Sequence, residues 1–458
     1  MSIFNIKIKT LVSWLSLTLI LGGYISYVFF YKEDKRMLLP GITTDGHYQI
    51  EMKCTVCHKA DFKDLDQPGV INQACLKCHK QDLEDAHDSH PIKKFRDPRN
   101  AELLTKVDAM QCITCHQEHN EKITNKMGVT LPNDYCAFCH QGIGDERPSH
   151  KGLGFDTCAT AGCHNYHDNN ALYENFLVRH ANEPDKLEKQ LVPECTFAEQ
   201  YRQQHKETAT PLSLEEHDAP RGRDYDPKML NDWMTTAHAN AGVNCMACHS
   251  VKSPDHMNGE WVDHPEHNSC RTCHRPEVDG FLKGKHGMRL DQGLSAMTPA
   301  MARRPMKAEA AHKELSCVSC HSAHTFDRKE AAVNACLTCH NDQHSLNYLT
   351  SPHYGIWLSE LGGNSAPRTG VSCATCHMPR EEMDNEGDKY VFVQHNQNSN
   401  LTPNEKMIRT TCMQCHGLGF SIDAMADPVL INNNFSGRPS AHIQSIDMAD
   451  EREKNKNK

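Results

Sequence analysis

The chain has 458 residues, of which 38 % are apolar and 24 % charged, with a formal net charge of −10. That length exceeds one small domain and would hold two or three ordinary ones, while the acidic balance argues against a nucleic-acid partner. So small an apolar share, part of it spent in one N-terminal run, lets side chains alone build only a thin interior.

The first feature in chain order is that run. Leu11 to Tyr31 are 21 consecutive residues without a charge, about the length that crosses the hydrocarbon core as a helix. A cleaved signal peptide has a shorter apolar region and a small-residue cleavage site, and no Ala-x-Ala-like site follows here. Residues 1–36 are therefore expected to be an uncleaved membrane anchor. Flanking charge leaves its orientation open, because Lys7 and Lys9 precede the span while Lys32, Lys35 and Arg36 follow it.

Residues 37–180 hold the first cysteine cluster. Cys54-Thr-Val-Cys57-His58 is followed by the same pattern at Cys75, Cys78 and His79, at Cys112, Cys115 and His116, and at Cys136, Cys139 and His140. A stretched copy, Cys158-Ala-Thr-Ala-Gly-Cys163-His164, closes the cluster. In Cys-x-x-Cys-His the two thiols can form thioethers to the vinyl groups of one haem, and the adjacent imidazole ligates its iron. Paired cysteines also suit zinc, but zinc gives no reason for histidine to follow every second cysteine. Three sites continue as Cys-His-x-x-His: His116 with His119, His164 with His167, and His321 with His324. On a helix each pair would share a face, so the second imidazole is expected to reach the next haem.

Residues 181–230 carry no socket and read as a charged, proline-bearing connector with a short helix in the Leu187 to His205 region. It holds Cys195, the unpaired cysteine, which is a free thiol, an axial thiolate or an intermolecular disulfide partner.

Residues 231–445 hold six more sockets, ahead of a charged tail at 446–458. They are Cys245, Cys248 and His249; Cys270, Cys273 and His274; Cys317, Cys320 and His321; Cys336, Cys339 and His340; Cys373, Cys376 and His377; Cys412, Cys415 and His416. Eleven sockets use 22 of the 23 cysteines and imply eleven covalent haem c groups. With roughly 33 residues of chain per socket, the macrocycles must pack against one another, as an electron relay requires. Histidines outside the sockets outnumber the iron positions to be filled. Candidates for the distal positions are His87, His90, His119, His167, His238, His286, His324, His344, His353, His395 and His442.

The first cluster resembles the small class III-like and pentahaem electron-carrier cytochromes, through its socket density and Cys-His-x-x-His. The second resembles the hydroxylamine oxidoreductase-like multihaem cytochromes. The residues that carry this likeness are Phe281-Leu-Lys-Gly-Lys-His286-Gly287, Cys336-Leu-Thr-Cys-His340, Tyr348, Ser351-Pro-His353-Tyr-Gly355 and Gly370-Val-Ser-Cys373-Ala-Thr-Cys-His-Met378. Val393-Gln-His395-Asn, Met407-Ile-Arg409 and Cys412-Met-Gln-Cys-His416 complete it. Two family features are missing. No socket ends in lysine, and no tyrosine lies beyond Tyr390 to cross-link a catalytic haem after the last socket.

These resemblances imply a mainly α protein with much irregular chain, packed around stacked haems, with one N-terminal transmembrane helix. The implied function is a membrane-anchored c-type cytochrome whose bulk lies in the bacterial periplasm. It would carry electrons between a quinol pool or membrane dehydrogenase and a periplasmic cytochrome or reductase; oligomerisation stays open. The alternative is a terminal reductase of nitrite, hydroxylamine or a sulfur oxyanion. By family position its catalytic haem would sit at Cys270, with His286, Asp291 and His312 as proton donors and Arg303 and Arg304 attracting an anion.

Overall fold

The computed structural model describes the chain except residues 1, 32–35, 59–69, 121–127, 156–157, 159–163, 169–171, 195–209, 224, 254–255, 386–387, 402–403 and 457–458. Cys163, Cys195 and the His205 end of the connector lie outside the described residues. The protein is about half helical, with little strand and much irregular backbone. Its chain divides into two compact units, Met1–Cys78 with Gln111–Leu131, and His79–Met110 with Pro132–Lys458.

In the first unit, helix α1 (Ser2–Ser26) continues into one wider π-type turn over Tyr27–Tyr31. Lys9–Tyr31 is long and apolar enough to cross a membrane. Leu19, Ile20 and Phe30 along it are 74 %, 70 % and 84 % exposed, so the protein itself leaves this apolar surface uncovered. Beyond it the unit is held by polar contacts. Glu118 accepts from the Thr44 N–H at 2.7 Å and meets His47 Nδ1 at 2.6 Å. The buried Asn72 accepts from the Cys112 N–H at 2.9 Å. Helix α2 (Val70–Asp85) carries the second socket.

The second unit has one sizeable apolar cluster and several small ones. Helix α3 (Glu174–His180) supplies Leu177 to the main cluster, the stretch before the last socket supplies Met407 and Ile408, and α7 and α8 close it. Helix α7 (Leu418–Ala426) gives Leu418, Ile422 and Met425; helix α8 (Ser445–Lys456) gives Ile446 and Ala449. Leu418 and Ile408 are the most enclosed, at 0 % and 1 % exposed. Most of the expected charged tail is thus helical, and Arg452 and Lys456 pair with Glu174 at 2.9 and 3.2 Å.

Elsewhere the elements are short and start on strong signals. Helix α4 (Pro227–Met234) begins with proline behind Asp226, which caps the Lys228 N–H at 2.8 Å. Helix α5 (Arg275–Lys283) also has proline in its first turn, and helix α6 (Pro352–Leu361) is capped by Ser351 and ends at Gly362. Hairpins β1/β2 (Ser250–Ser253, His256–Trp261) and β3/β4 (Arg380–Asn385, Asp388–Val393) are the two sheets among the described residues.

The connector helix expected from Leu187 is absent over the described residues. The chain there is irregular with bends instead, and the Leu187 and Leu191 N–H groups donate to the carbonyls of Cys415 and Gln414 at 2.9 and 2.8 Å. Backing the last socket satisfies these amides and leaves them unavailable to a helix.

Candidate haem sites

Each of the ten sockets with the two-residue spacer is built on one helical turn. The histidine N–H donates to the carbonyl of the first cysteine: His58 to Cys54 at 2.8 Å, His116 to Cys112 at 2.9 Å, His140 to Cys136 at 3.0 Å. The same bond is 2.9 Å at His274, His321 and His340, and 2.8 Å at His416. Residues i, i+3 and i+4 of a turn share a face, so both thiols and the imidazole present to one side. Several of these turns are capped locally, by Asn244 before Cys245 and by Ser372 with Thr375 before Cys376.

Eight socket histidines have a second imidazole opposite them. Ring centroids are 6.0 Å apart for His140 and His90, 6.1 Å for His164 and His150, and 5.9 Å for His249 and His324. They are 6.0 Å apart for His274 and His238, 6.2 Å for His321 and His395, and 6.3 Å for His340 and His286. His377 and His344 stand at 6.1 Å, and His416 and His353 at 6.3 Å. Two imidazoles on opposite sides of one metal, each nitrogen about 2 Å from it, put their centroids about 6 Å apart. The residues present therefore fit an iron between each pair, and seven of the eight belong to sockets whose two thiols are both among the described residues.

The hydrogen bonds around these rings agree with that use. Nδ1–H donates to a backbone carbonyl at His249 (Val262, 2.7 Å), His395 (Val393, 2.7 Å), His416 (Asp185, 2.8 Å), His344 (Ile431, 2.5 Å) and His90 (Tyr166, 2.6 Å). A carbonyl can only accept, so the proton sits on Nδ1 and the lone pair on Nε2 faces inward, the tautomer a metal needs. His116 and His119 make the same bond, to Gly128 at 3.0 Å and Gly41 at 2.8 Å. His167 uses Asp88 at 2.9 Å. Burial pushes His286, His321, His353 and His377 down to about 4, with the facing or neighbouring imidazole adding to it. They stay neutral at any ordinary pH.

Close packing positions these rings. A Cβ on Gly280 would meet the Asn396 and His395 amides at 3.2 Å, and one on Gly284 would meet the His395 carbonyl at 2.7 Å. Bare glycines within α5 and just past its end thus let Gln394–Gln397 lie against the helix, which aims His395 at His321. Trp261 stacks on His249 at 4.6 Å and Phe420 on His416 at 4.7 Å.

Successive sockets touch through their cysteines. Cys248 lies beside Cys270 and Cys273, and the Cys270 and Cys317 thiols are in hydrogen-bonding contact. Cys320 lies beside Cys336, Cys336 contacts Cys373, and Cys376 lies beside Cys412 and Cys415. The six sockets of the second cluster follow one another in space in chain order. Cys136 and Cys158 are neighbours in the same way, as are Cys57 and Cys75 in the first unit.

Several expectations are corrected. The Cys-His-x-x-His pairs do not share a helix: the turns Cys112–Cys115 and Cys317–Cys320 end before the socket histidine, and His119 and His324 have φ of 61° and 65°. His324 accordingly faces His249, in an earlier socket, and not the following one. His442 is occupied on both nitrogens, by Asp423 at 2.9 Å and Asp447 at 2.7 Å, at the surface. His286 belongs opposite His340, and the ring opposite His274 is His238, so His286 is no pocket residue of the Cys270 site. Asp291 and His312 are exposed, and Asp291 accepts from the Gln292 amide at 2.7 Å. His150, opposite His164, was missed. It sits in a Pro-Ser-His turn with no local mark beyond the surplus of histidine.

Residues 46–141, which span the first four sockets, match the family model of cytochrome c3. That match supports a multihaem c-type cytochrome. It implies covalently bound haem c and electron transfer. No curated protein and no solved structure matches the chain.

Proposed function

We propose that the protein is an eleven-haem electron relay, and the observation that carries this reading is the set of eight imidazole pairs about 6 Å apart, each including a socket histidine. Haem supplies a one-electron iron couple when bound. The chain's own residues hold it by two thioethers, fill both axial positions with neutral imidazoles, and fix those rings through their Nδ1 hydrogen bonds. His58, His79 and His116 are the remaining socket ligands, with His87, His119 and His167 as their distal partners and His47 as a further candidate.

On this reading residues 37–180 form a five-haem module and residues 231–445 a six-haem module built like the hydroxylamine oxidoreductase-like cytochromes, but used as a wire. Both iron faces at the Cys270 site are claimed by His274 and His238, which leaves that site no position for nitrite, hydroxylamine or a sulfur oxyanion. Helix α1 is the inner-membrane anchor and the bulk lies in the periplasm, taking electrons from a quinol pool or membrane dehydrogenase and passing them to a periplasmic cytochrome or reductase.

The deciding experiment combines intact-mass haem counting with an EPR spectrum of the oxidised holoprotein. Eleven haems, all low-spin and unmoved by nitrite or hydroxylamine, are expected. A high-spin signal that shifts with either ligand would establish the reductase reading in its place.

A further inference from the structure

The acidic chain carries one strongly basic segment. Lys283 to Lys307 holds Lys283, Lys285, Arg289, Arg303, Arg304 and Lys307 against one carboxylate, Asp291, in a protein of net charge −10. The fold returns both ends of this segment to the same socket. At one end His286 faces His340 at 6.3 Å. At the other, Met306 bridges to His340 as a short antiparallel contact, the Lys307 N–H donates to the Cys339 carbonyl at 2.8 Å, and the Asn341 N–H donates to the Pro305 carbonyl at 3.2 Å. Arg303 and Arg304 are exposed in the bend that leads into this contact. The Cys336 socket is the fourth of the six in the second cluster, and its thiol contacts Cys373 of the next, so the segment meets that cluster away from its ends.

We infer that Arg303 and Arg304 form a docking surface for an electron-transfer protein with a carboxylate-rich face, which exchanges electrons with the relay at the Cys336 site. The inference rests on the relay reading. Opposite charge on two partners raises the encounter rate and fixes orientation, and an exposed arginine pair beside a redox site puts that attraction where transfer has the shortest path. In the complex one electron leaves the partner's reduced centre and is taken up by one ferric haem, with no change in bonds or protons.

The test uses the holoprotein and an acidic two-iron ferredoxin as probe, with binding measured by calorimetry at several salt concentrations. R303E/R304E is expected to weaken binding about tenfold or more and flatten its salt dependence, while K93E/K94E, an equal reversal at another exposed pair, changes it less than about twofold. The proposal is overturned if wild type does not bind, if both variants weaken alike, or if R303E/R304E binds as wild type. It is also overturned if R303E/R304E alters the haem count or the low-spin spectrum, because the arginines then belong to the haem site. Should that variant fail to assemble, R303Q/R304Q with intact haems is expected to lose about threefold, and unchanged binding there overturns the proposal. Haem counting decides the relay independently of this result.

Discussion

His324 turns back on His249, with the two imidazole planes within 2° of parallel and their centroids 5.9 Å apart. Its positive φ of 65° aims it away from its own socket's successor. Replacing His324 with alanine is therefore expected to open one iron, at the Cys245 site, and leave the Cys336 site six-coordinate. EPR should show one new high-spin haem, and carbon monoxide should bind to one haem and no more. His150→Ala should do the same at the Cys158 site, through His164.

His442 gives the pH dependence. Hydrogen bonds that it donates to Asp423 and Asp447 raise it from 6.5 to about 9. A raised folded value means that the protonated form is the stabilising one. The contribution is whole below the ordinary histidine range and is lost as pH climbs through about 9. Hydrogen exchange in α8 should therefore quicken between pH 8 and 10 relative to the rest of the unit, by an amount that ~0.5 M salt reduces, since the site is exposed. His442→Ala should show the fast exchange already at neutral pH, with all haems still low-spin.

Gly280 tests how the Cys317 site is aimed. An added methyl would press on the His395 and Asn396 amides at 3.2 Å, and backbone yields less readily than a side-chain tip. Gly280→Ala should tilt His395 away from His321 and shift the spectrum of a single haem, at a stability cost of about 1–3 kcal/mol. An unchanged spectrum would mean that the segment moves as a body.

Leu418 tests the apolar core. Fully enclosed among Leu177, Ile408 and Ile422, it should cost about 2–5 kcal/mol on replacement by alanine. Chemical denaturation followed by tryptophan fluorescence should register that loss with the haem count unchanged.

What could be read from the sequence was whatever is written within a few residues. The sockets are such features, because Cys-x-x-Cys-His is a single helical turn and needs no tertiary partner to be recognised. The facing histidines are set by tertiary packing. His90, His238, His344, His353 and His395 were all among the candidates, yet nothing local tied any of them to a socket. His286 was drawn to the Cys270 site by proximity along the chain, whereas α5 carries it past that site to His340. His442 has the same residue type as the others and a different fate, fixed by two carboxylates that only the fold brings to it.

The pairing also sets an order of completion. A chain synthesised N-terminus first exposes His90, His150, His238, His286, His344 and His353 before the sockets they face. At those six positions both rings are already present when the thiols emerge. The Cys245 and Cys317 sockets face His324 and His395, which come later. Those two positions stay half-built while the chain beyond them is still being made, and they are the ones that a stray ligand or a stalled chain would meet open.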